Sequence, residues 1–293
     1  MNENVLNNNR IRRPDWLKVK IKVDDDFNAT KRLMTSQSLH TVCEEARCPN
    51  IYECWSRNTA TIMILGDTCT RSCGFCSVKT GRPLDVDVLE PFRTAQAVKR
   101  MNLKHVVITS VDRDDLTDDY GAEIWADTIA QIHAIAPGCN VEVLTPDFRG
   151  YLPALNKVFD AKPEIFSHNI ECVERISKAV RKHSDWGRSK EVLHLSIQNQ
   201  LTTKTGMMVG LGETDVEVIQ TMEEIADLGV EIFNIGQYLQ PTKKHLEVQR
   251  FVHPDTFEDY KQKGLELGFK VVESGPLVRS SYHADEQARK HNS

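Results

Sequence analysis

The sequence predicts an α/β chain: a partial or full α/β barrel of the TIM type with an extension at each end. Three observations carry that expectation. Six short runs rich in β-branched residues alternate with amphipathic helical stretches, which implies parallel strands joined by right-handed crossovers. The chain, at 293 residues, is close to the upper size for a single hydrophobic core. A doubly wound open sheet satisfies the same alternation, but the repeated unit lacks a Gly-x-Gly-x-x-Gly turn after its first strand, which favours the barrel.

Residues 1–58 read as an N-terminal extension, with basic residues, three consecutive aspartates and no clean period. The core spans 59–253. Its strand candidates are 59–66, 105–111, 140–144, 164–168, 206–211 and 231–238, each a short run bounded by turn residues. Helical periods occupy 94–101, 122–135, 151–159, 173–181 with 190–199, and 215–228. Residues 254–293 read as a C-terminal extension holding a helix at 255–267, a short strand at 269–272 and the tail Ser274-Gly-Pro-Leu-Val-Arg-Ser-Ser-Tyr-His283.

Composition narrows the function classes. Hydrophobic residues at 40% and charged residues at 27% describe a soluble globular chain, and no stretch reaches the roughly 18 uninterrupted apolar residues of a membrane span. With 37 basic and 42 acidic residues the net charge is −5, which suggests neither a nucleic-acid nor a membrane partner. The polar start, Met1-Asn-Glu-Asn-Val-Leu-Asn-Asn-Asn-Arg10, lacks the apolar core of a signal peptide, so the expected location is cytoplasmic. In that reduced setting eight cysteines point to metal or redox chemistry rather than to disulfides.

Six of the cysteines form two sets of three. Cys69, Cys73 and Cys76 lie in Gly66-Asp-Thr-Cys-Thr-Arg-Ser-Cys-Gly-Phe-Cys76, directly after the first strand, and can converge on one centre if the loop curls, as Gly74 permits. A structural zinc wants four ligands; an iron-sulfur cube on three thiolates leaves one iron open. Both fit the spacing. The loop's place at the carboxyl end of a strand, where α/β barrels put their chemistry, favours the cluster. Cys43, Cys48 and Cys54 are also one ligand short, at intervals unusual for zinc. Cys139 and Cys172 stand alone beside predicted strands and read as core thiols.

The Cys-x3-Cys-x2-Cys loop, with Phe75 before its third cysteine, resembles the defining motif of radical S-adenosylmethionine enzymes. Gly206-Met-Met-Val-Gly-Leu-Gly-Glu213 is similar to their Gly-x-Ile-x-Gly-x-x-Glu signature, with Met208 in the isoleucine place. Alone, that glycine pattern also reads as a tight turn with Thr214 or Asp215 as helix N-cap. Cys-x4-Cys-x5-Cys followed fifteen residues later by the second motif resembles the lipoyl synthases. Glu44-Glu-Ala-Arg-Cys-Pro-Asn50, Thr109-Ser-Val-Asp-Arg-Asp-Asp-Leu116, His168-Asn-Ile-Glu171, Gly236-Gln-Tyr-Leu-Gln-Pro-Thr242 and Arg279-Ser-Ser-Tyr-His-Ala284 agree, and the resemblance runs from about residue 12 to residue 287.

That resemblance implies the partial (β/α)6 TIM-type barrel of radical S-adenosylmethionine enzymes and two 4Fe-4S clusters. One, on Cys69, Cys73 and Cys76, binds S-adenosyl-L-methionine, with Phe75, Asp112, Gly210 and Glu213 as implied cofactor-binding positions. The auxiliary cluster is implied on Cys43, Cys48, Cys54 and Ser281, with Ser280 the less favoured serine; read without the family, both serines belong to a solvated turn. Arg279, beside that serine, is implied to contact substrate or to move with the tail. The implied reaction inserts two sulfur atoms at the sixth and eighth carbons of a protein-bound octanoyl-lysine, giving lipoyl-lysine, with the auxiliary cluster consumed as the sulfur source. An unactivated alkyl carbon is beyond side-chain acid-base chemistry, so a cofactor must supply the reactive species.

Implied partners are octanoylated lipoyl carrier domains, including the glycine cleavage H-type protein, a reductant such as ferredoxin or flavodoxin, and an iron-sulfur carrier protein that rebuilds the auxiliary cluster. Arg10, Arg12, Arg13, Lys18, Lys20 and Lys22, or the run Lys243-Lys-His245, are candidate carrier-docking surfaces. Asp112 and Arg113, nearest the strand end in an acidic loop, are its candidates for cofactor or substrate contact, whereas Asp118-Asp-Tyr-Gly121 departs from the usual family form. Two other readings compete: a different sulfur-inserting radical enzyme of the biotin synthase kind, and a zinc-stabilised binding module without catalysis.

Overall fold

Val, Ile and Thr crowd into short runs between polar turns, and these runs become the strands of the sheet in the computed structural model, which describes residues 12–19, 21–57 and 59–291. The order is α1 (Asp25–Ser36), β1 (His40–Thr41), α2 (Val42–Glu45), α3 (Ile51–Ser56), β2 (Thr61–Ile64), β3 (Thr68–Cys69), β4 (Lys79–Thr80), α4 (Glu90–Arg100) and β5 (His105–Ser110). Then follow α5 (Ala122–Ile135), β6 (Asn140–Leu144), α6 (Leu152–Asp160), β7 (Ile165–Ser167), α7 (Glu174–Val180), α8 (Trp186–Gln198) and β8 (Thr202–Val209). The chain closes with α9 (Asp215–Asp227), β9 (Ile232–Gln237), α10 (Pro254–Glu266), β10 (Val271–Gly275) and α11 (Ala284–His291).

Among the described residues the main sheet has eight strands in the order β1-β2-β5-β6-β7-β8-β9-β10. Only β1 runs antiparallel; every other neighbouring pair is parallel. Strands follow one another in space as in sequence, the pattern of a barrel wall rather than of a doubly wound sheet, and β1 and β10 remain its two unpaired edges. The expected partial barrel is the observed architecture. The short strand expected near 269–272 is β10, which joins the same sheet beside β9 as a further parallel strand.

Alternation along the strands separates two faces. Val106, Ile108, Val141, Val143 and Phe166 pack under α4, α5 and α6, while Met207, Val209, Phe233, Ile235 and Val272 pack under α9 and α10. The intervening positions face the bore, where buried polar groups pair: Glu142 and the fully buried Lys204 lie 2.8 Å apart, and His105 is 3.2 Å from the same carboxylate. At one end Ile165, Ile232 and Val271 close against Ala288 of α11, so the C-terminal helix seals the bore apolarly. No helix of the described residues is long and apolar enough to cross a membrane.

Candidate active site

The first cysteine set occupies the loop after β2. The parallel pairing of Thr68 with Lys79 and Cys69 with Thr80 ties the loop's two limbs together. Gly74 N–H donates to the Val180 carbonyl at 2.9 Å and the Gly74 carbonyl accepts from Leu246 N–H at 3.0 Å. A Cβ on Gly74 would come within 2.9 Å of Leu246 Cγ, so the glycine serves close approach of a neighbouring loop. His245 Nε2 lies 2.8 Å from the Cys76 carbonyl, to which it must donate, and its Nδ1 accepts from the Thr242 hydroxyl at 2.8 Å. His245 therefore braces the cysteine loop. In the run read as a candidate docking surface, Lys243 and Lys244 are exposed and His245 is half-buried.

Arg71, inside the cysteine motif, anchors that loop to the next two strand ends. Its guanidinium is 3% exposed and pairs with Asp114 at 2.7 Å, Asp147 at 2.8 Å and Asp112 at 3.2 Å. Asp112 N–H and Arg71 N–H each donate to Cys69 Sγ at 3.4 Å, and the Asp112 carboxyl lies 3.6 Å from the same sulfur. Burial pushes the Asp112 carboxyl up to about 6, with Arg71 opposing. Arg113, read as a possible ligand contact alongside Asp112, is instead committed to structure: it is buried, bonded to Asp115 and donating to the Leu65 and Leu84 carbonyls. The loop that departs from the family form is ordered by Asp119, whose carboxylate accepts from Gly121 N–H and Glu123 N–H at 2.9 and 2.8 Å.

Among the other implied cofactor positions, Phe75 is half-buried between Cys73 and Cys76. Glu213 is buried, and its carboxylate accepts from Gly210 N–H at 2.6 Å and Leu211 N–H at 2.9 Å. Its carboxylate thus shapes the turn after β8 rather than standing free. Gly210, at φ +96°, has no room for a Cβ, which would lie 2.2 Å from Gln237 Nε2. Thr214 is the N-cap of α9 and forms a reciprocal capping box with Glu217.

The second set meets the tail. Cys43 on α2, Cys48 in the turn beyond and Cys54 on α3 line one cavity with Arg279, Ser281, Thr61, His105 and Tyr282. Ser281 Oγ accepts from the Thr61 hydroxyl at 2.7 Å. Ser280 points elsewhere: its hydroxyl accepts from Asn169 Nδ2 at 2.7 Å and its carbonyl from Asn234 Nδ2 at 3.0 Å. The tail is fastened by Asn50 Nδ2 donating to the Leu277 carbonyl at 2.7 Å, by the Tyr282 hydroxyl on Glu53 at 3.1 Å, and by Arg57 on Glu286 at 2.8 Å. Arg279 is half-buried beside Cys48 and donates to its own neighbour's carbonyl, Val278, at 2.6 Å.

Between the two sets, Asn169 donates both to Ser280 and to Glu171 Oε1 at 3.1 Å, and the Glu171 carboxylate adds to the field that raises the Cys73 and Cys76 thiols. Burial is the larger cause throughout: it pushes Cys69, Cys73 and Cys54 up to about 12 and Cys43 to about 11. Ligation requires these thiols to lose their protons, so a bound metal centre must repay that cost. Among the described residues, no three His, Cys, Asp or Glu side chains converge closely enough to hold a single metal ion. Cys139 and Cys172 are buried, in keeping with their reading as core thiols. Sequence reasoning assigned no part to Arg71, Thr61 or Asn169, although the first and last stand inside quoted motifs.

A family model described as the Radical SAM superfamily matches residues 63–225, and another, the N-terminal domain of lipoyl synthase of the Radical SAM family, matches residues 1–48. A lipoyl synthase of Rubrobacter xylanophilus is 55% identical over 277 residues, covering 94% of this chain and 86% of that protein. One from Oceanobacillus iheyensis is 53% identical, covering 94% and 89%, and one from Bacteroides fragilis is 49% identical, covering 98% and 99%. Among solved structures, Streptococcus suis SuiB bound to S-adenosylmethionine superposes with a TM-score of 0.58 at 9% identity, over 88% of this chain and 58% of that one. HydG, a hydrogenase maturase, gives 0.52 at 13% identity over 93% of this chain and 66% of that one. These two similarities speak to the fold alone.

Proposed function

The chain belongs to the lipoyl synthase family of radical S-adenosylmethionine enzymes, which insert sulfur, and from that membership we propose a role for each cysteine set. Cys69, Cys73 and Cys76 would hold the 4Fe-4S cluster that takes S-adenosylmethionine, and Cys43, Cys48, Cys54 and Ser281 would hold an auxiliary 4Fe-4S cluster as the source of sulfur. The observation that carries this reading is the meeting of three early thiols and a C-terminal serine around one cavity, while Ser280 is turned away. A soft donor set closed by one harder oxygen suits an iron-sulfur cube, and a set of three thiols leaves one iron for a cofactor. When bound, these groups supply the one-electron chemistry and the sulfur that two unactivated carbons of an octanoyl-lysine require.

The chain's own residues hold, orient and exclude. Arg71, through Asp112, Asp114 and Asp147, fixes the first cysteine loop on the strand ends, and the amides of Arg71 and Asp112 would stabilise Cys69 as a thiolate once it is a ligand. Glu213 keeps the Gly210 turn open for the cofactor, with Phe75 and Asp112 on the loops beside it. The tail brings Ser281 and Arg279 across to the second set, and α11 closes the bore against water, which a carbon-centred radical requires. Octanoylated carrier domains, the H-type protein among them, are the substrates. A reductant of the ferredoxin or flavodoxin kind and an iron-sulfur carrier for cluster repair complete the cycle, all within the cytoplasm. Arg12, Arg13, Lys18 and Lys22 are exposed and suit an acidic carrier, while Arg10 and Lys20 lie outside the described residues. The reading divides the chain at 58 and 253, with each extension serving the auxiliary centre.

Single substitutions separate the roles. In the anaerobically reconstituted protein with S-adenosylmethionine, reductant and an octanoyl-lysine peptide, Cys73→Ala should abolish 5′-deoxyadenosine. Cys48→Ala should retain some cofactor cleavage and form no lipoyl product by mass spectrometry. Lipoyl product from the Cys48 variant would remove the auxiliary assignment.

A further inference from the structure

Trp55 presents an unexplained atom beside the second cysteine set. Its side chain is fully buried, yet its indole N–H has no hydrogen-bond partner. A buried tryptophan usually finds an acceptor for that N–H, because leaving it unmade costs about 1–3 kcal/mol. The ring packs in a small cluster with Phe27 and Cys43, and Cys48 and Cys54 lie against the same cluster. Of the three cysteines, Cys43 is the one buried together with Trp55 inside that cluster, so its sulfur is the acceptor the site offers this N–H. A neutral thiol is a poor acceptor and a thiolate a strong one, so this donor acquires its partner when Cys43 becomes a ligand.

Thr61 is the matching case on the oxygen side. It stands on β2 opposite Val107, is 4% exposed, and its hydroxyl donates to Ser281 Oγ at 2.7 Å. A serine oxygen bound to iron as an alkoxide has lost its own hydrogen and can only accept, which fixes Thr61 as the donor in the loaded state as well.

Resting on the assignment of Cys43, Cys48, Cys54 and Ser281 to one cluster, we propose that Trp55 and Thr61 are positioning residues of that centre. The Trp55 indole N–H donates to the Cys43 thiolate, and the Thr61 hydroxyl holds the Ser281 oxygen on its iron. Donation to a thiolate withdraws charge from the cluster and favours its reduced form, so Trp55 raises the cluster's potential. Retention of the serine oxygen slows loss of the iron it holds, so Thr61 sets how readily the cluster begins to come apart.

The test uses full-length protein reconstituted with iron and sulfide, with Cys69, Cys73 and Cys76 changed to alanine where the auxiliary signal must stand alone. Trp55→Phe keeps the aromatic packing, and the cluster's midpoint potential, followed by EPR, should shift negative at unchanged iron and sulfide content. Thr61→Val should release iron to a chelator several-fold faster and give a three-iron EPR signal, and Thr61→Ser should restore the parent rate. A Trp55→Phe potential equal to the parent's overturns the first half, and a Thr61→Val release rate equal to the parent's overturns the second. Should Trp55→Phe fail to fold, pulsed EPR on unsubstituted protein with an isotopically labelled indole nitrogen decides: coupling to the cluster supports the bond, and its absence overturns it. Cys43→Ala distinguishes failure of the underlying reading, because that variant would then keep the full iron and sulfide content.

Discussion

Arg71 shows what a single side chain contributes when three loops must be held together. Its guanidinium is almost wholly buried among three carboxylates that come from two different strand ends. Burial alone would raise the Asp147 carboxyl, but Arg71 holds it down to about 2. A folded-state value below the unfolded one means that this carboxylate stabilises the fold above about pH 4 and that the contribution is lost as pH falls through about 2. Asp147→Asn should therefore cost about 3 kcal/mol at neutral pH, read by chemical denaturation, and the variant's deficit should vanish in acid. The cysteines were legible because their spacing is local. The partners of Arg71 were not, because Asp112, Asp114 and Asp147 reach it only after β2, β5 and β6 lie side by side.

At the scale of elements, caps and turns were more legible than strand limits. Thr214, one of two N-cap candidates, is the cap of α9, and its side chain accepts from Glu217 N–H while Glu217 reaches back to Thr214 N–H. Thr214→Ala should destabilise the protein by about 1 kcal/mol, checked as a shift in denaturation midpoint with an unchanged slope. Strand β8 begins at Thr202, four residues before the apolar pattern suggests, because Lys204 interrupts that pattern with a charge. Its burial is compensated by Glu142, which no local period can reveal. Helix α8 likewise starts at Trp186 behind an Asp185 cap, earlier than the periodic run at 190–199. In the N-terminal extension, which shows no clean period, α1 and α3 are held by contacts of Phe27 with Tyr52 and Trp55.

For the whole molecule, residues from both extensions line one cavity. The barrel wall is open between β1 and β10, and residues from both extensions, tied through Glu53, Arg57, Asn50 and the tail, lie over the second cysteine set. A chain ending at Gly275 loses Ser281 together with the Ala288 contact that seals the bore. Such a truncation should keep about four irons of the roughly eight that two cubes require, by iron and sulfide analysis, and should unfold at lower temperature.

The sequence by itself determined the alternation of strands and helices, the two cysteine triads and the cap of α9, since each depends on residues a few positions apart. The tertiary structure decided the rest. It turned Ser281 rather than Ser280 to the cysteines, committed His245 and Glu213 to bracing loops, and neutralised Lys204 in the bore. Bringing a tail serine to a cysteine set or compensating a buried charge depends on distances of a few ångströms between residues far apart in the chain, and the lateral assembly of the sheet sets those distances.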